Sequence, residues 1–592
     1  MLQRWNSCAS NCCQTETGAR QAIYEFHYPL DQGGPPDKDF AVLKKLKDLQ
    51  IAVLLFLSSA LTFSVFRQLE LDFNGAAYLQ MTREGVLAHP HHFLYFWILR
   101  GAVLLGRAVW PGHPIVFGEA VSVVFGAGGL ALFFLLCRWH GVSRTVALLS
   151  ALLLLMSRPL MWASTNIEAK SALFFGAALV LAAAVGVRAM PRAGRWIALG
   201  AAIVFALGIH AAAAGLVLVV CVAGAAEALG RDRSPRRAGL WIVCGGVGLA
   251  YLLLIMVLGH WKADDLSLDG TLKRQMEWAN VYLGDSVMAG WSGFFTALKR
   301  NAVDGLAYGF FAIWLWPFGL AALERTERFL AAITIGTVFC YFGFFGWWPR
   351  DEGTFYFPAT ILLSLCSAVA VERLGIGNDA PEPGGTRRLW LILVAAASYY
   401  IIVLLAWREG LAGWLLWPWY ITACVLAWRF PRQTAHLHLA KKAWWALLAG
   451  FVVVQATLVL PKQRQFIRTA EWESRVRAAD QLAPAGGVLA SKVHPFFVEG
   501  LSRHLYGWDA TNSLFQLSDD EGTSFVRDLA QLIREKDGGR RVLVDTAVLE
   551  WFEEILNKPG NQPKSVGDRV NLERVESNGI PFGVLTVGAA AP

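Results

Sequence analysis

The sequence has few charged residues and lacks the motifs that identify several common protein classes. Only 17% of its 592 residues are Asp, Glu, Lys or Arg. No basic patch interleaved with aromatic residues lies outside the apolar runs, which argues against a nucleic-acid partner. A nucleotide-phosphate loop is also absent, and the glycine run 245–248 lies inside an apolar stretch, where close helix packing explains it.

Cysteine is absent after Cys424, so the C-terminal part of the chain does not depend on a disulfide. Cys8, Cys12 and Cys13 have no second Cys/His pair at the spacing of a zinc site. We therefore predict no cofactor and assign no metal ligand, although a divalent metal stays open.

An apolar signal-peptide segment is absent from the first 40 residues, which are polar and rich in turn-forming residues. We expect residues 1–48 to form a disordered cytoplasmic tail.

Apolar residues are what the sequence has in excess: they make up 55% of the chain and give a mean hydropathy of +0.43. A soluble core cannot absorb that excess, whereas a bilayer span needs about 20 such residues. Spans are predicted near 50–66, 117–137, 145–163, 171–189, 196–209, 211–228, 239–259, 305–322, 329–347, 356–374, 388–407, 412–428 and 444–460. The predicted fold is mainly α: a polytopic membrane helical bundle of about 13 spans over residues 49–460.

Lysine and arginine are distributed unevenly between the loops, which predicts the orientation. Lys44, Lys45 and Lys47 precede the first span, and arginines recur in every second loop after it. The region 196–228 could form one long span or two, and this alternation favours two, with His210 at the turn between them. We expect a multi-pass protein of a bacterial inner membrane, with a cytoplasmic N-terminus and a periplasmic C-terminal domain.

Residues 461–592 differ from the rest of the chain because they have few long apolar runs. Short apolar segments separated by amphipathic ones predict a small α/β soluble domain outside the membrane. Its predicted strands are 487–490, 541–545 and 583–587, and its predicted helices are 466–482, 520–536 and 547–557.

The first outer loop carries acids directly after the first span. It contains Glu70 and Asp72, and continues through Gly85-Val-Leu-Ala-His89-Pro90 towards an amphipathic stretch that ends near Trp110. By residue chemistry alone, this segment is also compatible with a solvated loop in which Asp72 caps a helix.

The ordered motifs of the outer loops resemble the C-type superfamily of membrane glycosyltransferases, in particular the protein O-mannosyltransferase and aminoarabinose transferase-like group. Asp72 matches the aspartate of the family's first outer loop, and residues 85–90 match its His-Pro turn. Glu168 lies where the family often has a second acid. The segment Trp348-Pro-Arg350-Asp-Glu352-Gly-Thr-Phe-Tyr356-Phe-Pro358 resembles the late loop near the donor phosphate. The chain departs from the family at Phe73, where many members have a second acid.

The resemblance implies transfer of a hexosyl or pentosyl group, with inversion, from a polyprenyl-phosphate-linked sugar to an acceptor hydroxyl at the outer face of the membrane. The acceptor would be a lipid, a glycan or a protein. Asp72 would be the general base. Lys170, Arg350 and Tyr356 would bind the donor phosphate, whereas His89, Glu168 and Glu352 would contact the acceptor or support the groups that do.

Other interpretations stay open at this point. Glu168 and Lys170 could be snorkelling residues at the membrane interface, His89 could form a structural turn, and His210 could only cap one. A polytopic transporter, or an O-antigen ligase or polymerase-like protein, is the alternative function. A transporter would carry charges near the bilayer midplane, whereas the middles of these spans are nearly free of charge.

Overall fold

The structure is a computed structural model, and it describes residues 38–67, 91–110, 115–259, 327–345, 353–375, 487–491, 513–516, 541–544, 549–557 and 569–588, with single residues and short groups between them. The membrane part of the chain is helical wherever it is described. Its first helix begins at Lys38, so the expectation that residues 1–48 form a disordered tail is wrong for residues 38–48. Its helices are α1 (Lys38–Val65), α2 (Phe93–Val109), α3 (Ile115–Trp139), α4 (Arg144–Leu155), α5 (Arg158–Thr165), α6 (Ala169–Ala189), α7 (Ala193–Ile209), α8 (Ala214–Gly230), α9 (Pro235–Gly259), α10 (Arg328–Phe345) and α11 (Phe357–Gly375).

Six helices in these ranges are long and apolar enough to cross a bilayer, and the pair α4 and α5 would make a seventh span. The axes of that pair differ by 65°, at a break that Pro159 follows directly. A multi-pass membrane protein is therefore confirmed. The predicted spans 305–322, 388–407, 412–428 and 444–460 lie almost wholly outside the described residues, so the total of about 13 stays a prediction.

The region 196–228 forms two helices, as the charge alternation predicted. Helix α7 ends at Ile209, a 3-10 turn covers Ala211–Ala213, and α8 begins at Ala214. His210 lies at the turn, where its Nδ1 accepts a hydrogen bond from the backbone N–H of Ala212 at 3.1 Å. The capping role considered for His210 is thus real, although it is not the residue's only contact.

Helix α3 lies at the centre of the described bundle, where α1, α5 and α6 pack against it. Two of its glycines allow the close approach. A Cβ atom on Gly126 would lie 2.1 Å from the Ser164 hydroxyl on α5, and one on Gly129 would lie 2.3 Å from the Phe174 ring on α6. The hydrophobic effect does not drive helices together inside a bilayer. Close van der Waals packing, which small residues permit, supplies the attraction.

Ion pairs collect at one end of the bundle, which we call the basic end. Asp48 on α1 contacts Arg138 at 3.1 Å and Arg144 at 2.6 Å. The basic end also contains Arg188, whose guanidinium makes two hydrogen bonds of 2.6 and 2.7 Å to the Glu227 carboxylate. The opposite end contains Arg67, Glu119, Glu168 and His210. The described helices therefore alternate in direction as predicted, whereas the assignment of the basic end to the cytoplasm stays a prediction.

Substituting Asp48 with asparagine should destabilise the bundle, because two arginines would lose their shared carboxylate. Asp48 and Arg138 are both 6% exposed. Breaking a buried pair costs roughly 3–5 kcal/mol, and the partial exposure of Arg144 reduces our expectation to about 2–3 kcal/mol. A lower melting temperature in detergent would show this. Asp232→Asn is the control, because its pair with Arg237 is partly exposed and worth at most about 1 kcal/mol. Equal stability of the two variants would contradict the prediction.

The described C-terminal segments form a mixed five-stranded sheet in the order β2-β1-β3-β5-β4. The elements are β1 (Gly487–Ser491), β2 (Ser513–Gln516), β3 (Arg541–Val544), helix α12 (Leu549–Asn557), β4 (Arg569–Ser577) and β5 (Ile580–Gly588). Strand β1 is parallel to β2 and β3, whereas β5 is antiparallel to β3 and β4.

Strands β1, β3 and β5 and helix α12 were predicted from the sequence, whereas β2 and β4 were not. Strands β4 and β5 form a hairpin whose two-residue turn has positive φ at Asn578 and Gly579, the usual chemistry of such turns. Arg574 on β4 makes hydrogen bonds of 2.6 and 2.5 Å to Glu553 on α12, which lower the pKa of that carboxyl. The predicted helices 466–482 and 520–536 lie largely outside the described residues.

Candidate active site

The site is centred on the short connection between α5 and α6, at the end of the bundle opposite the basic end. Glu168 precedes α6 and is completely buried. Its backbone N–H donates to the Ser122 hydroxyl at 3.1 Å, and its carbonyl accepts from the Ser171 hydroxyl at 3.0 Å. Hydroxyls of α3 and α6 therefore fix the backbone that carries this carboxylate.

The Glu168 carboxylate has two different neighbours. Its Oε2 lies 3.9 Å from the Lys170 ammonium, and its Oε1 lies 3.5 Å from the Tyr78 hydroxyl. Both distances are longer than a strong charge-assisted hydrogen bond. Glu168 and Lys170 are 0% and 2% exposed, so the interpretation of these two residues as snorkelling interface anchors is wrong: both face the interior of the bundle.

Aromatic rings surround the Lys170 ammonium. Its Nζ lies 4.8 Å from the ring centre of Phe355 and 5.4 Å from that of Trp162. Ring faces attract a cation, more strongly where water is excluded. The rings and the nearby carboxylate thus hold a compact positive charge at a buried position.

Two histidines extend this group. The His92 Nε2 lies 3.4 Å from the Tyr78 hydroxyl, and the His92 and His210 rings stack edge to face with centres 4.5 Å apart. The His210 ring also lies 5.7 Å from that of Phe355. We call Tyr78, His92, Glu168, Lys170, His210 and Phe355 the acid–histidine cluster.

Backbone contacts fix the histidines of this cluster. The N–H of Ala211 donates to the carbonyl of His91 at 3.0 Å, which joins the turn before α8 to the start of α2. The Tyr341 hydroxyl on α10 donates to the carbonyl of Ala212. The first outer loop, the α5–α6 connection, the α7–α8 turn and the segment before α11 therefore meet at one place.

Of the residues predicted for the site, the structure brings together Glu168 and Lys170. Tyr356 is buried and its ring packs against Phe342, with centres 4.8 Å apart, whereas the preceding residue, Phe355, faces Lys170. The remaining predicted residues lie outside the described part of the chain: Asp72, His89, Arg350 and Glu352.

Four members of the cluster were not assigned to the site from the sequence: Tyr78, His92, His210 and Phe355. His210 was considered only as the cap of a turn, and Phe355 only as part of the late loop. The signal for the other three is position: Tyr78 lies six residues after Asp72, His92 three after His89, and Phe355 directly before Tyr356. Among the described residues, no three His, Cys, Asp or Glu side chains are grouped to hold a metal ion.

No known family model and no curated protein sequence matches the chain. Solved structures do match. ArnT from Cupriavidus metallidurans bound to undecaprenyl phosphate has a TM-score of 0.53 and 14% identity, over 93% of this chain and 100% of that one. The apo form of that ArnT has a TM-score of 0.47 and 16% identity, over 93% and 99%. The oligosaccharyltransferase AglB from Archaeoglobus fulgidus, in complex with an inhibitory peptide and a dolichol-phosphate, has a TM-score of 0.39 and 12% identity, over 85% and 70%.

The match to ArnT, an aminoarabinose transferase, extends over the full length of that protein. It confirms, at the level of the fold, the resemblance that the outer-loop motifs indicated. The chain has the fold of this ArnT.

Proposed function

We propose that this protein is an integral membrane glycosyltransferase that moves a sugar from a polyprenyl phosphate to an acceptor hydroxyl at the outer membrane face. The observation that carries the proposal is the fold shared with an ArnT whose structure contains undecaprenyl phosphate. The acid–histidine cluster supports it, because it places a buried carboxylate and a buried cation where outer loops meet.

In the proposed reaction, the acceptor oxygen bonds to the anomeric carbon of the sugar as the bond from that carbon to the phosphate oxygen breaks. The hydroxyl proton passes to Asp72, and polyprenyl phosphate leaves with the bonding electrons. A single displacement inverts the anomeric centre. Developing negative charge on the phosphate requires a fixed cation, and we assign this role to Lys170 and Arg350. We also assign donor binding to Tyr356.

The cluster offers a physical reason for joining Asp72 to this site. Tyr78 lies six residues after Asp72 and contacts both Glu168 and His92. Those contacts hold Tyr78 next to the α5–α6 connection, six residues along the chain from the proposed base. We assign Glu168 to holding Lys170 and Tyr78 in position, and His89 and Glu352 to the acceptor side of the site.

The distribution of charge favours chemistry at the interface over transport. In the six single-helix spans, every described charged residue lies within four residues of a span end. In the bent pair, Arg158 lies at the break between α4 and α5. A transporter would be expected to place ionisable groups near the midplane.

The direct test supplies membranes with a polyprenyl-phosphate-linked hexose or pentose and measures release of polyprenyl phosphate. We expect release that depends on an acceptor hydroxyl and on intact Asp72 and Lys170. Membranes that contain the protein but consume none of a panel of such donors would contradict the proposal.

Arg350 should act through the geometry of its guanidinium group as well as through its positive charge. We expect Arg350→Ala to weaken donor use and Arg350→Lys to recover only part of it, because lysine lacks the bidentate fork that matches phosphate oxygens. The apparent KM for the donor is the measurement. Equal values for the three forms would show that Arg350 does not bind the phosphate.

The proposed site requires the basic end to face the cytoplasm and residues 461–592 to form a periplasmic domain. Reporter fusions after Leu460 should therefore be active only when the reporter works outside the cytoplasm, whereas fusions within the arginine-rich segment 231–237 should behave in the opposite way. A cytoplasmic signal after Leu460 would overturn both the orientation and the proposed outer-face reaction.

A further inference from the structure

A groove of about 620 Å³ opens between α8 and α10 at the basic end of the bundle. It lies where α8 ends and α10 begins. Its lining residues are Ala223, Ala226, Glu227, Gly230, Arg231, Arg328, Phe329 and Ala332. The groove is far along the bundle from the acid–histidine cluster, which lies at the other ends of the same helices.

The rim of this groove carries an excess of positive charge. Arg231 and Arg328 line it, and Arg188 contacts the lining carboxylate of Glu227 through two hydrogen bonds. Arg188 and Arg231 thus both contact the Glu227 carboxylate, and Arg328 adds a further guanidinium to the lining. Glu327 precedes Arg328 but does not line the groove. Counting it, the described residues still carry one positive charge in excess.

The geometry of the rim suits a phosphate group. Arg231 contacts Glu227 at 3.4 Å, and a guanidinium has five N–H donors, so it can serve a carboxylate and a phosphate together. Arg328 is the first residue of an 18-residue helix, whose N-terminal N–H groups also favour an anion. The Arg188 guanidinium stacks on the buried Phe329 ring, 4.7 Å from its centre, which fixes the floor of the groove.

The rest of the lining is apolar and small. Ala223 and Ala226 on α8 and Ala332 on α10 line the groove beside the charged residues, and each lies further from the end of its helix than the arginine at that end. An amphiphile whose anionic group lies at the interface and whose chain enters the hydrocarbon matches this arrangement. A soluble anion would use only the rim.

We propose that this groove binds an anionic phospholipid, with its phosphate between Arg231 and Arg328 and an acyl chain along the three alanines. The site is independent of the glycosyltransferase proposed above, since it uses none of the residues assigned to that reaction. It joins α8 to α10, so an occupied groove also stabilises the contact between these helices.

The test compares retention of phosphatidylglycerol and phosphatidylcholine by the full-length protein, measured by native mass spectrometry from detergent. We expect wild-type protein to prefer phosphatidylglycerol. The double variant Arg231→Gln/Arg328→Gln should lower its retention about 25-fold, since each interfacial arginine contributes roughly fivefold. Arg236→Gln is the matched control: it removes an exposed arginine of the same segment that does not line the groove, and should change retention less than twofold.

A second variant tests the apolar part of the groove without changing charge. Ala332→Trp fills the groove and should lower phosphatidylglycerol retention at least fivefold. Equal retention of both lipids, an effect of Arg236→Gln as large as that of the double variant, or unchanged retention in Ala332→Trp would each overturn the proposal. Displacement of the lipid by millimolar inorganic phosphate would do the same, because it would indicate an ion site in place of a lipid site.

Discussion

Substituting Asp72 with asparagine should lower sugar transfer at least about a hundredfold with little change in expression. The variant keeps the shape of the side chain and removes the proton acceptor, and general-base assistance is typically worth roughly 10²–10⁴-fold. Asp72 follows the end of α1 by seven residues and precedes by six residues Tyr78, which contacts Glu168 and His92. The measurement is the initial rate of transfer from a polyprenyl-phosphate-linked sugar.

Glu70→Gln is the matched control, because it removes the same charge two positions earlier in the same loop. It should cost much less than Asp72→Asn. If Asp72→Asn transfers sugar at the normal rate, or if Glu70→Gln is the inactive variant, the assignment of the base is wrong. The alignment of this loop with the family would then have slipped by two residues.

Substituting Lys170 with methionine should lower transfer about a hundredfold. Methionine has a similar length and suits the aromatic surroundings of Phe355 and Trp162, but it cannot stabilise charge on a leaving phosphate. Removing one preorganised donor from such a site typically costs roughly 10²–10³-fold in rate. The rate at saturating donor separates this loss from weaker binding.

A purely structural role for Lys170 makes a different prediction. Lys170→Met alone leaves the buried Glu168 carboxylate without its neighbouring cation and should lower the melting temperature. In the double variant Lys170→Met/Glu168→Gln, the charges are balanced again, so the melting temperature should recover while transfer stays about a hundredfold low. Recovery of both in the double variant would show that Lys170 only balances Glu168.

Elements that depend on local pattern could be predicted from the sequence. The apolar runs predicted α1, α3, α6 and α9, because burying their side chains away from water outweighs every weaker preference. Charge alternation separated α7 from α8 at His210. In the C-terminal segments, the predicted strands were short and apolar. Strand β2 is apolar at only two of its four residues, and β4 loses its alternation at Arg574.

The sequence by itself determined that the chain crosses a membrane repeatedly, where most described helices begin and end, and that Glu168 and Lys170 lie together at a span end. The tertiary structure alone decided that both are buried, that α4 and α5 form a pair bent by 65°, and that Tyr78, His92, His210 and Phe355 converge on them. Hydropathy and charge are local properties of the sequence, so each segment can be interpreted by itself. Contacts such as the one between His92 and His210 join segments more than a hundred residues apart, so only the packing of the helices determines them.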